Sequence, residues 1–299
     1  MKKNILVLGA GFVARPLVRY LLKLPDVSVT VASRTLDRAQ HLVGDHARGN
    51  AETLQVENTE KLSQSVSAAD IVISLLPWIH HIQVAKQCLA HGRHLVTTSY
   101  VKPEMEALDA EVRKKNLLFL NEIGVDPGID HMAAMRVIDR VRKAGGTITS
   151  FYSYCGGLPA PECNSNPFGY KFSWSPLGVM LAALSDGRYM EEGKIIDIPA
   201  EKLFQHYRFI DIPDAGIYEA YVNRDKLPYR KIYGTESTVH VPGNPMQMGH
   251  CESSGTASSG WGCWTETKSL TSADSLRPKP WQKKLDFGEN ICPAILPPF

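Results

Sequence analysis

The sequence predicts an α/β protein in which a doubly wound parallel sheet is followed by a second, mixed α/β domain. Three observations lead to this prediction. The 299 residues exceed what one compact core usually holds. Short apolar runs alternate with helical patterns over the first 125 residues, and a glycine-rich turn joins the first run to the first helix. We therefore expect one domain at 1–125, a second and incomplete one at 126–241, and an atypical segment at 242–299.

The composition is that of an ordinary globular protein and argues against charged polymers as partners. The chain has 33 basic and 31 acidic residues, a net charge of +2, and no run of five like charges. We therefore expect neither nucleic acid nor a membrane as a partner. The six cysteines show no CxxC pair, no zinc-like Cys/His spacing and no disulfide framework. These features predict reduced thiols, no metal site and a cytoplasmic location.

The glycine-rich turn carries the clearest chemical signal. The apolar run Ile5–Leu8 has the composition of a buried parallel strand, and Gly-Ala-Gly-Phe-Val-Ala follows it at once. In this GxGxxA spacing, Gly9 permits the tight turn, Gly11 lets the backbone approach a pyrophosphate, and the small Ala14 allows close helix packing. The pattern predicts dinucleotide binding, and a plain glycine-rich turn is the alternative.

The end of the second predicted strand indicates which dinucleotide is bound. About twenty residues beyond the glycines, an NAD-binding fold usually places an acidic residue for the ribose hydroxyls. Here the sequence is Ser33-Arg34-Thr35. A guanidinium between two hydroxyls matches a 2'-phosphate, so NADP is favoured over NAD. Alternatively, Arg34 is a solvated residue and Thr35 caps the next helix.

The alternation of strands and helices continues through the first domain, as a Rossmann fold requires. The predicted strands lie at 52–57, 70–77, 94–100 and 117–124, and the helices at 60–69, 80–91 and 103–115. His80 and His81 are adjacent on a predicted helix, so they point apart, and no third ligand lies nearby. We therefore expect no metal there.

Ligands of open parallel sheets bind outside the carboxyl ends of the strands. We therefore expect Ser74–Pro77, Ser99–Tyr100 and Val125–Gly128 to line one crevice. Asp126 is placed to accept hydrogen bonds from an amine, although it could equally start an Asp-Pro-Gly turn. Asp130 and His131 are expected to open the following helix.

The second domain is less clearly patterned. We predict strands at 146–155 and 193–199 and a helix at 175–190. The stretch CGGLPAPE at 155–162 is either an interdomain linker or a rigid wall of a substrate cleft, and we favour the wall. Cys155 would lie at its edge, or be a buried strand thiol, and Trp174 could be a core aromatic.

Several motifs together resemble saccharopine dehydrogenase of the L-glutamate-forming type. The resemblance runs nearly colinearly from residue 1 to about residue 240. Besides the glycine turn, it is carried by VASRTL, VISLLPW, VTTSYVKPEMEAL, NEIGVDPGIDHM, SYCGGLPAPECNSNPFGYKFSWSPLGV and NRD.

The resemblance implies a reaction and a set of site residues. The family enzyme reduces, with NADPH, the imine of L-glutamate and 2-aminoadipate 6-semialdehyde to saccharopine, reversibly, in lysine biosynthesis. The implied proton-transfer residues are Tyr100, Asp126 and Cys155. Substrate contacts would fall on Ser99, Tyr100, Asp126 and Arg224. Cofactor contacts would fall on Gly9, Gly11, Phe12, Val13, Ala14, Ser33, Arg34, Thr35, Val56, Leu76, Ser99, Val125, Pro127 and Trp174.

The sequence departs from this family at about Pro242. Relatives continue with an Arg-Gly-Thr-Leu-Arg segment, whereas here a Ser-, Thr- and Gly-rich stretch without helical or strand period follows. We interpret this as a shifted reading frame or different splicing. Two alternatives to an active reductase follow: a truncated NADP-binding protein without turnover, or a carboxynorspermidine-type reductase, which the 155–176 motif disfavours. A homodimer is expected of the full-length family.

Overall fold

The computed structural model describes residues 2–166, 170–213, 216–235 and 245–247. The chain divides into two compact units, Met1–Met135 and Arg136–Phe299. The segment predicted to be atypical, 242–299, lies outside the described residues except for 245–247.

The first unit contains a six-stranded, all-parallel sheet flanked by helices, which confirms the predicted doubly wound fold. Its strands are β1 (Lys3–Leu8), β2 (Val27–Ser33), β3 (Gly49–Thr53), β4 (Ile71–Ser74), β5 (His94–Thr97) and β6 (Phe119–Leu120). Its helices are α1 (Ala14–Lys23), α2 (Leu36–Val43), α3 (Thr59–Ser67), α4 (His81–His91), α5 (Pro103–Glu106) and α6 (Asp109–Lys114). The strand order is β3-β2-β1-β4-β5-β6, so the order reverses between β1 and β4.

The central strand β1 shows why this sheet is buried on both faces. Alternate residues of a strand point to opposite faces. Leu6 and Leu8 belong to a core cluster that α3 and α4 cover, and Ile5 and Val7 belong to a second cluster beneath α1 and α2. An uninterrupted apolar run is what a strand covered on both sides needs, which explains why the sequence identified β1 correctly.

Several boundaries in the first unit differ from the predicted ones, including those of the third strand, the last strand and the helix predicted at 103–115. The third strand is Gly49–Thr53 rather than 52–57, because Leu54 and Val56 are buried in the core from the loop that follows it. The last strand has two residues only. The helix predicted at 103–115 is divided into the short helices α5 and α6. At Leu54 and Val56, apolar character therefore indicated burial in the core rather than pairing in a strand.

The second unit contains both helices and strands. Helix α7 (Ile129–Lys143) contains the sequence boundary between the units. The later elements are α8 (Pro176–Ala182), β7 (Gly187–Glu191), β8 (Lys194–Ile198), β9 (Tyr207–Ile212), β10 (Gly216–Val222), α9 (Leu227–Ile232) and β11 (Pro245–Gln247). Strands β7 and β8 form an antiparallel pair, and β10 pairs antiparallel with both β9 and β11.

Two sequence predictions for this unit are wrong and one is right. Residues 146–155 form no strand, although Ser150 and Cys155 each take part in an isolated β-bridge. The helix predicted at 175–190 ends at Ala182, and its second half is β7. Gly187 opens that strand where an added Cβ would lie 3.2 Å from the side chain of Leu203, so a larger residue there would require its neighbours to shift by a few tenths of an ångström. The strand predicted at 193–199 is β8.

No helix among the described residues is long and apolar enough to cross a membrane. Cys88 and Cys155 carry free thiols, and burial raises the pKa of Cys88 to about 12. Cys163 is disulfide-bonded, so the expectation that all six cysteines are reduced is wrong at this residue.

Candidate functional site

The turn between β1 and α1 has the geometry of a phosphate-binding loop. Gly9 adopts a φ of +108°, and an added Cβ would lie 3.2 Å from the carbonyl oxygen of Leu75. Only glycine suits that position. At Gly11, by contrast, an added Cβ would meet no atom within 4 Å, so the backbone there faces open space. Ala14 is completely buried. The loop therefore fits the assigned roles of its small residues.

The amino terminus of α1 offers uncompensated positive charge. No side chain caps the helix, and its first turn contains no acidic residue. The Ala14 amide already donates to the Gly11 carbonyl at 3.2 Å, so it is the dipole of the helix that would favour an anion at this end. Phe12 and Val13, just before the helix, are 47% and 54% exposed. These features fit a dinucleotide pyrophosphate placed against the loop.

The carboxyl end of β2 presents the predicted Ser33, Arg34 and Thr35 to solvent. Ser33 Oγ accepts a hydrogen bond from the Thr35 amide at 3.3 Å. Thr35 is the N-cap residue of α2, but its side chain makes no capping hydrogen bond. Arg34 is exposed, and within the described residues its guanidinium has no hydrogen bond or ion pair. Thr35 therefore occupies the N-cap position, as the alternative held, but its hydroxyl does not cap the helix.

Val56 and Leu76 are placed differently from the residues above. Val56 is 7% exposed and belongs to the core cluster, and the half-buried Leu76 packs against the same cluster. The Val56 carbonyl accepts a hydrogen bond from the Gln83 side chain at 2.8 Å. Their contact with a cofactor stays a prediction.

His81 is a functional candidate that the sequence interpretation missed. It is buried at the start of α4, and its Nδ1 lies 2.9 Å from Ser74 Oγ at the end of β4. Its Nε2 lies 2.9 Å from Ser99 Oγ, beyond the end of β5. Burial, with a smaller contribution from His80, lowers the pKa of His81 to about 4. No local sequence pattern indicates this hydrogen-bonding role, because Ser74 and Ser99 lie 7 and 18 residues away along the chain.

Tyr100 and Asp126 are brought together as a pair. The Tyr100 hydroxyl donates to Asp126 Oδ1 at 2.6 Å. Asp126 lies in a tight turn in which the Gly124 amide donates to the Pro127 carbonyl at 2.8 Å, and the Asp126–Pro127 peptide is cis. Gly128 completes the turn at a φ of +149°, where a side chain would collide with Gly124. The turn role and the hydrogen-bonding role of Asp126 are therefore both realised.

Carboxylates and a histidine lie beside this pair. Asp130 Oδ1 accepts from the Gly128 amide at 2.7 Å, and Glu122 Oε1 accepts from the Val101 amide at 2.9 Å. His131 Nε2 lies 3.4 Å from Glu122 Oε2, and its Nδ1 lies 3.8 Å from Asp130 Oδ2. The interaction with Glu122 raises the pKa of His131, with further contributions from Asp130 and Asp126 and an opposing one from burial. Asp130 and His131 do open α7, as predicted.

Two residues of this turn that were predicted to contact the cofactor, Val125 and Pro127, differ in their environment. Val125 is 63% exposed, whereas the Pro127 carbonyl is held by the turn itself. The sequence placed both beside a cofactor. An exposed apolar side chain next to a hydrogen-bonded carboxylate is suited to contact a ligand that is partly apolar.

Three predicted site residues belong to the second unit. Cys155 is a half-buried free thiol outside any strand, so it is not the buried strand thiol of the alternative reading. Trp174 is 38% exposed and faces Gly178 of α8, where an added Cβ would lie 2.5 Å from its ring, so it is not a core aromatic. Arg224 adopts a φ of +62°, and its carbonyl accepts from the Arg188 amide at 3.0 Å.

The first unit therefore combines two chemical capacities at one edge of a sheet. The loop after β1 and the end of β2 can hold an anionic dinucleotide. Tyr100 and Asp126 form a donor–acceptor pair that can exchange a proton with a ligand amine. A nicotinamide cofactor supplies hydride chemistry when bound, and the loop, the uncapped helix and the exposed arginine fit such a group.

Two family models cover most of the chain. Residues 5–120 match the saccharopine dehydrogenase NADP binding domain, and residues 124–276 match the saccharopine dehydrogenase C-terminal domain. The second match continues past residue 242, where we predicted the sequence to depart from the family. A shifted reading frame stays a prediction.

Individual relatives agree with these models. The chain is 44% identical over 230 residues to saccharopine dehydrogenase [NADP(+), L-glutamate-forming] of Schizosaccharomyces pombe, covering 77% of this chain and 51% of the relative. It is 40% identical over 238 residues to the mitochondrial alpha-aminoadipic semialdehyde synthase of Bos taurus, covering 79% of this chain and 26% of that protein.

A solved structure supports the same relationship. Apo saccharopine dehydrogenase (L-Glu forming) from Saccharomyces cerevisiae matches with a TM-score of 0.75 and 40% identity, over 82% of this chain and 55% of that structure. The chain thus spans about half the length of the curated fungal relatives it matches. On both domain models and on this structural match, the chain belongs to the saccharopine dehydrogenase family.

Proposed function

We propose that this protein is an NADP-dependent oxidoreductase of the saccharopine type. It would reduce the imine of L-glutamate and 2-aminoadipate 6-semialdehyde to saccharopine, and catalyse the reverse oxidation, as a step of lysine biosynthesis through aminoadipate. The observation that carries the proposal is the Tyr100–Asp126 hydrogen bond of 2.6 Å, located at the carboxyl edge of a sheet that carries a dinucleotide loop.

The preference for NADP rests on the end of β2. A 2'-phosphate carries two negative charges and needs donors, and a carboxylate at this position would repel it. Arg34 is exposed, and its guanidinium has no partner within the described residues; the Thr35 hydroxyl does not cap α2. Both groups are therefore available to a phosphate without breaking an existing interaction.

An arginine substitution tests this preference. Arg34→Ala should weaken NADPH binding about tenfold or more, because a charge-assisted hydrogen bond is lost, and should leave NADH binding unchanged. Arg38→Ala is the matched control, since Arg38 is an exposed arginine of α2, four residues beyond Arg34. Equal effects of both variants on NADPH would mean that Arg34 contributes only general charge.

The proposed chemistry assigns a proton-transfer role to the Tyr100–Asp126 pair. Imine reduction adds a hydride to carbon and leaves a proton on nitrogen, and imine formation and hydrolysis need further proton transfers. The Asp126 carboxylate would accept a hydrogen bond from the protonated nitrogen, and the Tyr100 hydroxyl would orient that carboxylate. In the reverse direction the pair would receive the amine proton as saccharopine is oxidised.

The second unit would supply further substrate contacts. Arg224 offers a planar guanidinium for one of the three substrate carboxylates. Its left-handed backbone is unfavourable for a residue with a side chain, and such strain is often found at ligand sites. We further propose that Cys155 takes part in proton transfer, that Trp174 contacts the nicotinamide end of the cofactor, and that the active species is a homodimer.

One purified-protein experiment separates the candidate functions. NADPH oxidation would be followed with the semialdehyde and L-glutamate, beside NADPH binding measured by fluorescence. Binding with turnover supports the proposed reductase. Binding without turnover supports the second candidate, an NADP-binding protein without catalysis, which the loss of the family's sequence pattern at about Pro242 motivates. Absence of binding would contradict both.

A further inference from the structure

Three polar side chains form a continuous hydrogen-bonded row across the sheet edge of the first unit. Ser74 ends β4, His81 opens α4, and Ser99 lies beyond the end of β5. The imidazole joins the two hydroxyls, with both nitrogen–oxygen distances at 2.9 Å. Ser74 is 0% exposed and His81 is 4% exposed, whereas Ser99 is half-buried. The row therefore runs from the core to the candidate site.

The direction of each hydrogen bond follows from the buried end. Ser74 has one hydroxyl proton, and within the described part of the chain its hydroxyl has no partner other than His81 Nδ1. If Nδ1 carried a proton, the Ser74 proton would be buried without an acceptor, which costs about 1–3 kcal/mol. The satisfied arrangement has Ser74 donating to Nδ1. In a neutral imidazole the proton then resides on Nε2.

This choice of tautomer determines what Ser99 can do. Nε2–H donates to Ser99 Oγ, so that oxygen uses a lone pair and its own proton stays available. We propose that His81 is a positioning residue that fixes Ser99 as a hydrogen-bond donor toward an acceptor oxygen of the bound ligand. The effect passes through the Ser99 hydroxyl, since His81 itself is buried.

The charge state of His81 agrees with this arrangement. Burial is the main cause of its lowered pKa, so the ring is neutral near pH 7. The groups that face it are uncharged hydroxyls from the ends of β4 and β5, and the nearby charged group that affects it is His80. A protonated ring would donate from both nitrogens and would leave the Ser74 proton without an acceptor.

The acceptor oxygen has two possible sources, and the inference here rests on the proposed function. It belongs either to the carboxamide of the nicotinamide cofactor or to a carboxylate of the amino-acid substrate. Both are oxygen acceptors that a serine hydroxyl recognises equally well. A ligand that presents only a donor to Ser99 would be disfavoured, because the Ser99 proton would face another proton.

The tautomer can be measured without any ligand or activity. Long-range 1H–15N NMR spectra of the histidine-labelled protein near pH 7 should show His81 with a protonated Nε2 and an unprotonated Nδ1. A His81→Gln sample assigns the signal. Observation of the Nδ1–H tautomer, or of a doubly protonated ring, would overturn the inference.

Two amide substitutions then separate the two ends of the imidazole. Asparagine places its amide near the Nδ1 position, so His81→Asn can still accept from Ser74 but no longer reaches Ser99. Glutamine places its amide near the Nε2 position, so His81→Gln can still donate to Ser99. We expect His81→Asn and Ser99→Ala each to weaken ligand binding about tenfold. His81→Gln should stay within about threefold of the wild type.

The binding measurements have two arms that identify the acceptor. NADPH is titrated into the free protein, and saccharopine is titrated into the NADPH complex, in which it cannot be oxidised. A loss in the first arm places the acceptor on the cofactor, and a loss in the second places it on the substrate. The double variant His81→Asn/Ser99→Ala should bind the ligand no more weakly than Ser99→Ala alone, because both changes remove the same interaction. Additive losses, or wild-type binding by His81→Asn in both arms, would overturn the inference.

These outcomes are distinguishable from a failure of the proposed function. If the wild type binds neither ligand, the proposed function fails, whereas the NMR result still decides the tautomer. If the wild type binds and the His81 variants behave alike, the proposed function stands and the positioning role of His81 fails. Thermal unfolding of each variant shows that the compared proteins are folded.

Discussion

Two histidines of the first unit show how differently one residue type can be used. His81 lies between two serine hydroxyls at the ends of β4 and β5, where burial lowers its pKa to about 4. His131 lies in the first turn of α7 near Glu122 and Asp130, and the interaction with Glu122 raises its pKa. Burial favours the neutral form of the first ring, and the neighbouring carboxylates favour the protonated form of the second.

The difference arises from the neighbours of each ring. A hydroxyl cannot compensate a buried positive charge, so desolvation dominates at His81. A carboxylate compensates that charge at close range, so the ion pair outweighs burial at His131. The site thus has a hydroxyl region around His81 and a carboxylate region around His131. Ser99 and Tyr100, adjacent in sequence, connect the two regions.

The largest effect is expected in the carboxylate region. Asp126→Asn keeps the side-chain shape but removes the charge that would accept an amine proton. Turnover should fall about 100-fold or more, because general acid–base catalysis contributes roughly that factor. NADPH affinity should be unchanged. Steady-state kinetics and fluorescence titration check both. Unchanged turnover with an unchanged pH profile would show that Asp126 only shapes its turn.

The next largest effect is expected in the hydroxyl region, where His81 makes the stability of the folded protein depend on acid pH. The folded pKa of His81 lies below that of the unfolded chain, so the folded state binds fewer protons. Stability is therefore lost as pH falls from about 6.5 to about 4, by about 3 kcal/mol. His81→Gln cannot titrate and should lose correspondingly less over this window. Urea unfolding at several pH values measures the difference, and parallel curves for the two proteins would contradict the assignment.

A smaller effect is expected where the two regions meet. Tyr100→Phe removes the hydroxyl that donates to Asp126 but leaves the carboxylate and the Ser99 row intact. Turnover should fall about tenfold, as for the loss of one hydrogen bond to a charged group. NADPH binding should follow the wild type. A loss as large as that of Asp126→Asn would mean that the two side chains act as one unit.

The smallest effect is expected at His131. Its folded pKa is raised, so its stabilising contribution is complete below the unfolded pKa of about 6.5 and is lost as pH rises through the folded value. His131→Gln should therefore lower stability at pH 6 and converge with the wild type at higher pH. This is the opposite direction to His81→Gln. Unfolding curves that converge at low pH instead would contradict the pairing with Glu122.

Much of the first unit could be predicted from its sequence. The alternation of apolar runs and helices predicted the correct fold class, because the central strand is covered on both faces and the helices each bury one face. The glycine turn was also recognisable, since the φ of Gly9 and its close approach to Leu75 leave no other residue type. In the second unit, predictions from pattern alone failed at 146–155 and at the end of α8.

The site was only partly predictable for a related physical reason. Asp126 and Tyr100 follow strand ends, so topology placed them at one edge, but their hydrogen bond depends on the turn at Gly124–Gly128. His81 gave no signal, because its partners Ser74 and Ser99 lie 7 and 18 residues away along the chain. A relation between three distant side chains has no local pattern.

The sequence by itself determined the parallel sheet, the dinucleotide loop and the absence of an acidic residue after β2, because these depend on local backbone and side-chain chemistry. Only the tertiary structure decided in which direction the pKa of each of these two histidines, His81 and His131, is shifted. The lowered pKa of His81 and the raised pKa of His131 depend on burial and on which groups the fold places around each ring, and neither quantity is encoded within a short stretch of sequence.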